Sequence, residues 1–555
     1  GTISKANSEF SHGGILNIAY TNKDSYKVVL TSLYTVSSEK GTRIADGVTG
    51  SNDDYKIRTY LDWEERTLNV NQLNGEYNYE LLGAESQFKF GAEVASANLY
   101  QPNNFSYDYI KQKDTFVVDV TGGQNHIAQK LTSSDVLSAL YFKNRLNDTL
   151  LSDEDYVEFG YSVSSKERES RQSKYALRDT NPTAFSGDIE SFYNENVRPE
   201  IEYGERDYVL TTLFAPGDSF DAKVDESAVY LNKYIKPVES IGIMAGVRMV
   251  DFTQTLWQFK QDRSNPDISK RTIIDRVPES LALDEVLPSL NMKYTLDDEN
   301  IFDLAFSKTY IVPDLREFSG GSYFHPYDVA TVKGNPDLVN TDITNIDFKY
   351  SHYFSQTEMI KFGLFYKALE NPIEDILNPS SSLPEYSFIN SESAQLQGIE
   401  VDGRKNFEMI SPQLEDFYIA GNFSYTDSLV TLTDKQKKIY SSHARQLQGL
   451  SQTVLNLTVG YENDADSVVL TYNQMGERIR KVGLIDDGDA FPDYYEIPPQ
   501  LLDFVWSKKF ENGFSTKVKI QNILDSKTVW KQGQDNVTKE FKMGRSVGVS
   551  MAYKY

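Results

Sequence analysis

The sequence contains no cysteine, only four tryptophans and only five histidines among its 555 residues. Without cysteine it forms no disulfide, no thiolate zinc site and no cysteine nucleophile. It also lacks any apolar stretch of about 18 residues, the length that a transmembrane helix requires. The longest apolar runs are as short as residues 241–247. A membrane-spanning helix is therefore excluded.

Catalytic signatures are missing as well. No HExxH or P-loop pattern occurs, and the five histidines are widely scattered. Acidic residues outnumber basic ones by 81 to 56, a net charge of −25. Phosphate binding needs clustered lysine and arginine, so this balance argues against a nucleic-acid partner. We predict no enzyme activity, no cofactor and a solvated acidic surface.

Many short segments instead carry apolar residues at every second position. Phe362 and Leu364, for example, alternate with Lys361 and Gly363. This period of two indicates β-strands with one apolar and one polar face. The same alternation recurs in residues 302–307, 417–425, 455–461, 516–521 and 547–555.

The connections between these segments alternate between short and long. The short ones are rich in Asn, Asp and Gly, as hairpin turns require. They include residues 22–24, 297–300, 462–464 and 511–513. The long ones are polar and aromatic and cover residues 38–55, 101–131, 179–222, 262–278, 312–338, 372–385, 431–442, 480–498 and 525–543.

This pattern predicts about 19 strands. They fall near residues 8–20, 25–37, 56–81, 86–100, 131–145, 154–178, 222–235, 238–261, 279–296, 299–311, 338–354, 357–371, 385–408, 413–431, 442–462, 464–480, 498–510, 513–524 and 544–555. A soluble β-sandwich would also alternate. Loop asymmetry, and a content of 36 Tyr and 30 Phe suited to a membrane interface, favour a barrel. We predict an all-β fold: one large antiparallel transmembrane β-barrel over residues 1–555.

Both ends of the predicted barrel carry information. Single-chain bacterial barrels have even strand numbers with both termini on the periplasmic side. An odd count therefore predicts that the first strands of the barrel precede this sequence. The last segment is amphipathic and ends on the aromatic Tyr555. Such an ending is similar to the signal that the bacterial barrel-assembly machinery recognises, although an ordinary edge strand would look alike.

Five segments resemble, in order, motifs of the TonB-dependent outer-membrane receptors. They are Gly334-Asn335-Pro336-Asp337-Leu338; Asn371-Pro372-Ile373-Glu374; the run from Asn390 through Ala394, Gly398 and Glu400 to Val401; Leu502-Asp503-Phe504 with Asn522-Ile523-Leu524-Asp525; and Gly544-Arg545. Proline donates no ladder hydrogen bond, glycine permits unusual backbone angles, and Asn or Asp caps turns. We expect these motif residues to serve folding and loop geometry.

The resemblance implies a barrel of about 22 strands closed by a plug domain. It implies TonB-energised uptake of a scarce nutrient: siderophore iron, cobalamin, an oligosaccharide or a peptide. No plug segment and no TonB box are recognised in this sequence, so we expect the plug, the box and about three strands to be missing at its N-terminus and contact with TonB to use that missing plug. Expected surroundings are outer-membrane lipid and lipopolysaccharide, and a surface lipoprotein is a further conceivable partner.

Candidate ligand contacts lie in the predicted outer loops, where aromatic side chains can stack on a ligand. The strongest group follows a glycine pair and comprises Tyr323, Phe324, His325 and Tyr327. Tyr494, Tyr495 and Trp530 are further candidates. The alternative interpretation is that these rings pack against neighbouring loops.

An acidic outer segment offers oxygen ligands for Ca²⁺ at Asp486, Asp487 and Asp489. It does not match an EF-hand, and a solvated loop is the alternative. For the whole protein, two other functions remain open. A passive porin would have no plug, fewer strands and short loops that fold inward. A cell-surface adhesin built from β-sandwiches would show domain linkers, which are not seen.

Overall fold

A computed structural model describes most of the chain. The described residues are 1–22, 25–49, 54–81, 83–112, 115–118, 127–147, 152–179, 197–198, 208–213, 217–261, 273–325, 330–377, 385–486 and 488–554. Among them, no helix is both long and apolar enough to cross a membrane. The predicted metal ligand Asp487, the predicted ligand contact Tyr327 and the terminal Tyr555 lie outside the described residues.

Nineteen antiparallel strands form a continuous wall, each paired with the next along the chain. They are β1 (Thr2–Asn22), β2 (Tyr26–Thr49), β3 (Asp54–Leu81), β4 (Ala84–Gln112), β6 (Ile127–Asn147), β7 (Tyr156–Asp179), β10 (Phe220–Val238), β11 (Ile241–Gln261), β12 (Ile273–Thr295), β13 (Asn300–Ile311), β16 (Thr341–Tyr353), β17 (Met359–Glu370), β20 (Ser393–Asn406), β21 (Phe417–Thr431), β22 (Thr453–Glu462), β23 (Asp466–Met475), β28 (Leu501–Lys509), β29 (Phe514–Gln521) and β32 (Ser546–Tyr553). The predicted number of strands is confirmed.

The remaining elements belong to the long connections. Short strands β5 (Thr115–Val118), β8 (Val197–Arg198) and β9 (Tyr208–Leu213) extend the wall. The first loop sheet contains β14 (Ser322–His325), β15 (Ala330–Lys333), β18 (Ile373–Leu377) and β19 (Glu385–Asn390). The second loop sheet contains β24 (Arg478–Lys481), β27 (Tyr494–Ile497), β30 (Lys527–Gln532) and β31 (Asn536–Lys542). Strands β25 (Ile485–Asp486) and β26 (Asp489–Ala490) form a hairpin, α1 covers Leu315–Phe318, and 3₁₀ turns cover Phe407–Met409, Pro412–Leu414 and Gln436–Lys438.

The short turns are closed by the side chains that the sequence places in them. In the β12–β13 turn, the backbone amides of Glu299 and Asn300 donate to Asp297 Oδ1 at 3.0 and 2.7 Å. Asn463 accepts two backbone amides in the same way between β22 and β23. Side-chain acceptors satisfy amides that a tight turn would leave without partners.

Register places one apolar row on the outside of the wall. Leu304 pairs with Phe348, Phe348 with Leu364, and Leu364 with Ile399 across four neighbouring strands. All four side chains keep 39–53% of their surface exposed. A continuous apolar band that faces away from the protein is the surface that a barrel presents to lipid.

The next row along the same strands faces inward and is polar. Asp303 pairs with Lys349 and forms a salt bridge with it at 3.3 Å, and Gly363 and Glu400 continue the row. Because successive side chains point to opposite faces of a strand, lipid-facing and lumen-facing residues must alternate. At this level of strands β13, β16, β17 and β20, the lumen is therefore lined by polar or small side chains.

Aromatic rings collect at the short-turn end of the wall. Tyr156 stacks on Tyr234 with ring centroids 5.1 Å apart, and Phe302 on Tyr350 at 4.9 Å. Phe514 lies against Tyr553, in the last strand, at 4.7 Å. A girdle of this kind is favourable at the membrane interface because a Tyr ring is apolar while its hydroxyl stays hydrated.

Candidate functional site

The connection between β13 and β16 folds back onto the inner face of the wall. Its helix α1 begins with a capping box: Arg316 N donates to Asp314 Oδ1, and Asp314 N donates to Glu317 Oε2, each at 2.8 Å. Leu315 and Phe318 are buried against a cluster that includes lumen-facing residues of β10 and β11. The loop therefore occupies the mouth of the barrel, inside the ring of strands.

Polar contacts fix this inward position. Gly320 N donates to Gln258 Oε1 of β11 at 3.1 Å. Lys174 Nζ, from β7, donates to the carbonyl oxygen of Ser322 at 2.6 Å and to Asp218 Oδ1 at 2.9 Å. Buried backbone groups need such partners, so the loop is held by more than apolar contact.

The Gly334 motif closes the same loop. A Cβ atom on Gly334 would collide with backbone carbonyl oxygens of residues 316, 317 and 319. Asn335 N donates to the Glu317 carbonyl oxygen at 2.6 Å, and Asn335 Nδ2 donates to the Phe388 carbonyl oxygen at 2.9 Å. The motif thus allows close backbone approach and connects α1 to β19. Pro336, which is half-buried, follows this joint.

The Asn371 motif turns the chain from the wall into β18. Asn371 has a φ of 55°, in the left-handed region that Asn tolerates better than most residues. Its carbonyl oxygen accepts from Thr341 Oγ1 and from Asn390 Nδ2, each at 2.8 Å. Pro372, which has no amide hydrogen, is buried at this bend.

One face of β18 carries a buried ion pair. Arg445, from the β21–β22 connection, donates from Nη1 and Nη2 to the two carboxylate oxygens of Glu374, both at 2.8 Å. Their side chains are 3% and 2% exposed. Ser391 Oγ donates to Glu374 Oε2 at 2.5 Å. Burial raises the pKa of neighbouring Tyr440 to about 12, so the ring stays neutral beside the pair.

The opposite face of β18 carries Asp375. Lys481 of β24 donates to its Oδ2, and Gln448 Nε2 donates to its Oδ1. Lys481 Nζ also lies 4.0 Å from the centre of the Tyr386 ring. The alternation within β18 therefore separates two ion pairs: Glu374 pairs with Arg445 of the β21–β22 connection, whereas Asp375 pairs with Lys481 of the β23–β28 connection and also accepts from Gln448 of the β21–β22 connection.

Two cavities meet at this strand, and Ile373 and Asp375 line both. The cavity of about 340 Å³, called the α1-side cavity, is also lined by Glu317, Tyr323, Val332, Tyr386, Phe388 and Lys481. The cavity of about 290 Å³, called the β24-side cavity, is also lined by Glu374, Leu447, Gln448, Gly449, Arg478, Ile479, Arg480 and Glu496.

Burial perturbs the ionisable groups beside the α1-side cavity. It raises the pKa of the Glu317 carboxyl and of the Tyr323 hydroxyl, and it lowers the pKa of the Arg316 guanidinium. Arg316 also lies over the Tyr323 ring at 5.1 Å. The cavity is therefore a partly dehydrated environment in which charges interact more strongly than in water.

A second charged cluster adjoins the β24-side cavity. Trp530 Nε1 donates to Glu496 Oε2 at 3.0 Å, and Glu496 also binds Arg478 and Arg480. The Arg480 guanidinium lies 3.7 Å from the centre of the Trp530 ring. The arrangement holds two arginine side chains at the cavity wall, where they can attract an anion.

The structure distributes the aromatic candidates over both cavities. Tyr323 lines the α1-side cavity, while Trp530 supports the wall of the β24-side cavity through Glu496. Tyr495 packs on a buried apolar cluster that includes Ile376, Val430 and Ile479, and Tyr494 precedes it in β27. Phe324 and His325 lie in β14, opposite Thr331 and Ala330, and nothing further is described of their side chains.

The acidic candidates do not converge. Asp486 and Asp489 face each other in the β25–β26 hairpin and are both exposed. No group of three or more His, Asp or Glu side chains that could hold a metal ion occurs in the described part of the chain. Sequence reasoning missed several cavity residues, among them Asp375, Gln448 and Lys481, because they lie far apart in the chain and form no local motif.

Of the other motif residues, Asn522 and Asp525 lie at a joint of the wall, whereas Gly398 and Glu400 lie within β20. Asn522 (φ 53°) donates from Nδ2 to the Gly544 carbonyl oxygen at 2.8 Å. Asp525 (φ 51°) accepts from Lys542 Nζ at 2.7 Å, and this contact lowers its pKa. Gly398 leaves room for the Phe365 ring, and Glu400 faces the lumen two residues later.

Comparison with known proteins identifies the family to which the 19-strand wall belongs. A family model described as "TonB dependent receptor-like, beta-barrel" matches residues 9–523. No curated protein sequence matches the chain. The ferric citrate transporter FecA superposes with a TM-score of 0.56 at 10% identity, over 99% of this chain and 76% of FecA.

Two further solved structures show the same fold. FpvA of P. aeruginosa, solved with an iron-bound pyoverdine, has a TM-score of 0.53 at 12% identity over 95% of this chain and 68% of its own. The copper transporter OprC has a TM-score of 0.54 at 10% identity over 100% and 81%. The chain belongs to the TonB-dependent receptors, a family of outer-membrane receptors and transporters of Gram-negative bacteria.

Proposed function

We propose that this protein captures an anionic metal chelate, of the siderophore-iron type, at the mouth of its barrel and imports it with energy delivered through TonB. The observation that carries the proposal is the pair of cavities on the two sides of β18. They combine aromatic rings, at Tyr323 and Tyr386, with cationic groups, at Lys481 and Arg480. Such a combination suits a ligand with flat rings and negative oxygens.

The other nutrient classes fit these cavities less well. An oligosaccharide offers neutral hydroxyls, which cannot replace the carboxylates of Asp375 and Glu496 as charged partners of the cationic side chains. The solved structures with the same fold support this choice, because they are a ferric citrate transporter, a receptor bound to an iron–pyoverdine complex and a copper transporter. Cobalamin and peptides remain as comparison ligands in the test below.

Import also requires parts that complete the barrel. Among the described residues, β1 pairs with β2 and β32 pairs with β29, but no ladder joins β1 to β32. Barrels close so that no strand edge is left without hydrogen bonds in lipid. We therefore include about three further strands, a plug and a TonB-contacting segment in the proposed protein.

The test uses the full-length protein. Purified receptor in detergent is titrated with iron(III) citrate, an iron(III) tris-catecholate, cyanocobalamin, a malto-oligosaccharide and a short peptide, and binding is followed by calorimetry. We expect the iron chelates to bind and the others to bind more weakly. Uptake of radioactive iron into cells should then disappear when TonB is deleted. Preferential binding of sugar, cobalamin or peptide would refute the substrate assignment.

The inward-folded β13–β16 loop is a feature that a passive porin would share. A porin predicts ion conductance in planar bilayers and uptake that does not depend on TonB. Undiminished uptake in cells without TonB would therefore refute energised transport and favour the channel. The long outer connections and the 19-strand wall support the receptor.

A further inference from the structure

Strand β18 separates two cavities of similar size. Each holds about 300 Å³, at the lower limit for a binding site of a small organic ligand. The partition consists of Ile373 and Asp375, the two residues that line both cavities. A ligand that occupied both cavities at once would have about twice the space, provided that the polar part of the partition moved.

The polar part of the partition is held by two side chains from other connections. Asp375 Oδ2 binds Lys481, which lines the α1-side cavity, and Asp375 Oδ1 binds Gln448, which lines the β24-side cavity. Asp375 is about one-third exposed, while Lys481 is 10% exposed. Solvent and ligands therefore reach the carboxylate more easily than the ammonium group.

The Lys481 ammonium is fixed independently of Asp375. Its nitrogen lies 4.0 Å from the centre of the Tyr386 ring, and its strand β24 pairs with β27. A cation held against an aromatic face keeps its place when its anionic partner is exchanged. In contrast, the side chains of the Glu374 and Arg445 pair are almost fully buried, so a ligand in the β24-side cavity, which Glu374 also lines, reaches this pair less easily than Asp375.

We propose, on the basis of the function proposed above, that the ion pair of Asp375 and Lys481 is a latch between the two cavities, and that an anionic group of the ligand opens it. A carboxylate or catecholate oxygen of the chelate takes the place of the Asp375 carboxylate at Lys481, and the two cavities become one. Asp375 then acts as an internal competitor, and Lys481 selects ligands by negative charge. The buried pair at Glu374 keeps the strand in register while the latch opens.

Substitutions of the two latch residues should change the affinity for anionic chelates in opposite directions. Asp375→Asn keeps the shape of the side chain but removes the competing charge, so binding of an anionic chelate should tighten on the order of tenfold. Lys481→Met keeps an unbranched apolar stem against Tyr386 but removes the cation, so binding should weaken by a similar factor. The double variant should match Lys481→Met alone, because the competitor acts only through the lysine.

The probes are iron(III) citrate and an iron(III) tris-catecholate, both anionic, and an uncharged iron(III) tris-hydroxamate, measured by calorimetry on the full-length receptor. The control variant is Asp434→Asn, since Asp434 is 97% exposed in the β21–β22 connection. Unchanged hydrogen exchange in residues 373–377 checks that each variant keeps the strand. We expect the control to leave all affinities within a factor of two and the latch variants to leave the hydroxamate affinity unchanged.

The outcomes separate the latch from the proposed function. If the wild-type protein binds the anionic chelates and Asp375→Asn does not tighten them, the latch is refuted and the function stands. An equal change in affinity for the uncharged chelate would also refute the latch, because the latch residues would then not select ligands by their charge. If no chelate binds to the wild-type protein, the proposed function fails and the latch fails with it.

Discussion

Removal of one partner from the buried pair of Glu374 and Arg445 should destabilise the loops above the barrel. Arg445→Met leaves a carboxylate that is 2% exposed with a single hydrogen bond, from Ser391 at 2.5 Å. Breaking a buried pair in this way costs roughly 3–5 kcal/mol, because the remaining charge has lost its compensation. The cost should appear as local opening of the β18 region, since the wall strands below do not depend on this pair.

Amide hydrogen exchange measures that opening directly. Exchange becomes about tenfold faster for every 1.4 kcal/mol by which the free energy required for local opening falls. Arg445→Met should therefore accelerate amide exchange in residues 373–377 by roughly a hundredfold to several thousandfold. The double variant Glu374→Met/Arg445→Met should recover most of this loss, because apolar replacements of a buried pair are often neutral. A residual cost of about 1 kcal/mol is expected from Ser391, which loses its acceptor.

A matched control lies in the same connection. Lys437 and Asp434 form a salt bridge at 3.3 Å, but their side chains are 42% and 97% exposed. Solvent screens such pairs, so Lys437→Met should cost about 1 kcal/mol or less. The reasoning is refuted if Arg445→Met accelerates exchange no more than Lys437→Met, or if the double variant exchanges as fast as the single one.

Three further predictions concern the joints of the fold. Gly334→Ala should expose the β13–β16 loop to limited proteolysis, because its methyl group meets three backbone carbonyl oxygens, whereas Gly548→Ala has open space and should not. Asn522→Ala should lower the temperature at which the barrel unfolds, measured as the loss of the gel mobility of the folded form after heating. The variant loses a 2.8 Å hydrogen bond, and alanine adds roughly 1 kcal/mol of backbone strain at φ 53°. Asn522→Gly loses the hydrogen bond without this strain, so its unfolding temperature should be intermediate. Burial raises the pKa of Glu317, so the contribution of this carboxyl to the stability of α1 is greatest below about pH 4.3 and is lost as pH rises through the folded-state value. Exchange of α1, corrected for intrinsic chemistry, should show this pH dependence, and Glu317→Gln should abolish it.

The wall could be predicted from the sequence because its rule is local. A lipid-facing position requires only an apolar side chain, and a lumen-facing position requires a polar or small one. The alternation between neighbouring residues is therefore enough to predict a strand. The prediction was wrong where one segment serves two sheets. Residues 385–408 were predicted as one strand, but β19 ends at Asn390 and β20 begins at Ser393. Alternation is the same in both sheets, so it cannot show where the chain leaves the wall.

The site was less predictable because its contacts are distant in sequence. Tyr323 could be selected as an aromatic residue in a loop, and it does line a cavity. Asp375 and Lys481, however, are 106 positions apart, and Glu374 and Arg445 are 71 apart. Neither lysine nor arginine carries a local pattern that distinguishes a latch from a solvated surface charge. Only the register of β18, which sends Glu374 to one face and Asp375 to the other, assigns them different roles.

The wall and the loop layer consequently respond to substitution in different ways. On the wall, Leu364 or Ile399 faces lipid with about half of its surface, so another apolar residue of similar size meets the same surroundings. In the loop layer, the chain has left the regular ladder, and side chains such as Gln258, Asn335 and Asn390 must satisfy backbone groups one by one. Each of these contacts fixes where a loop lies over the barrel mouth. Ligand choice can therefore change through a few polar residues of the loops while the same wall is kept, which agrees with relatives that share this fold at 10–12% identity.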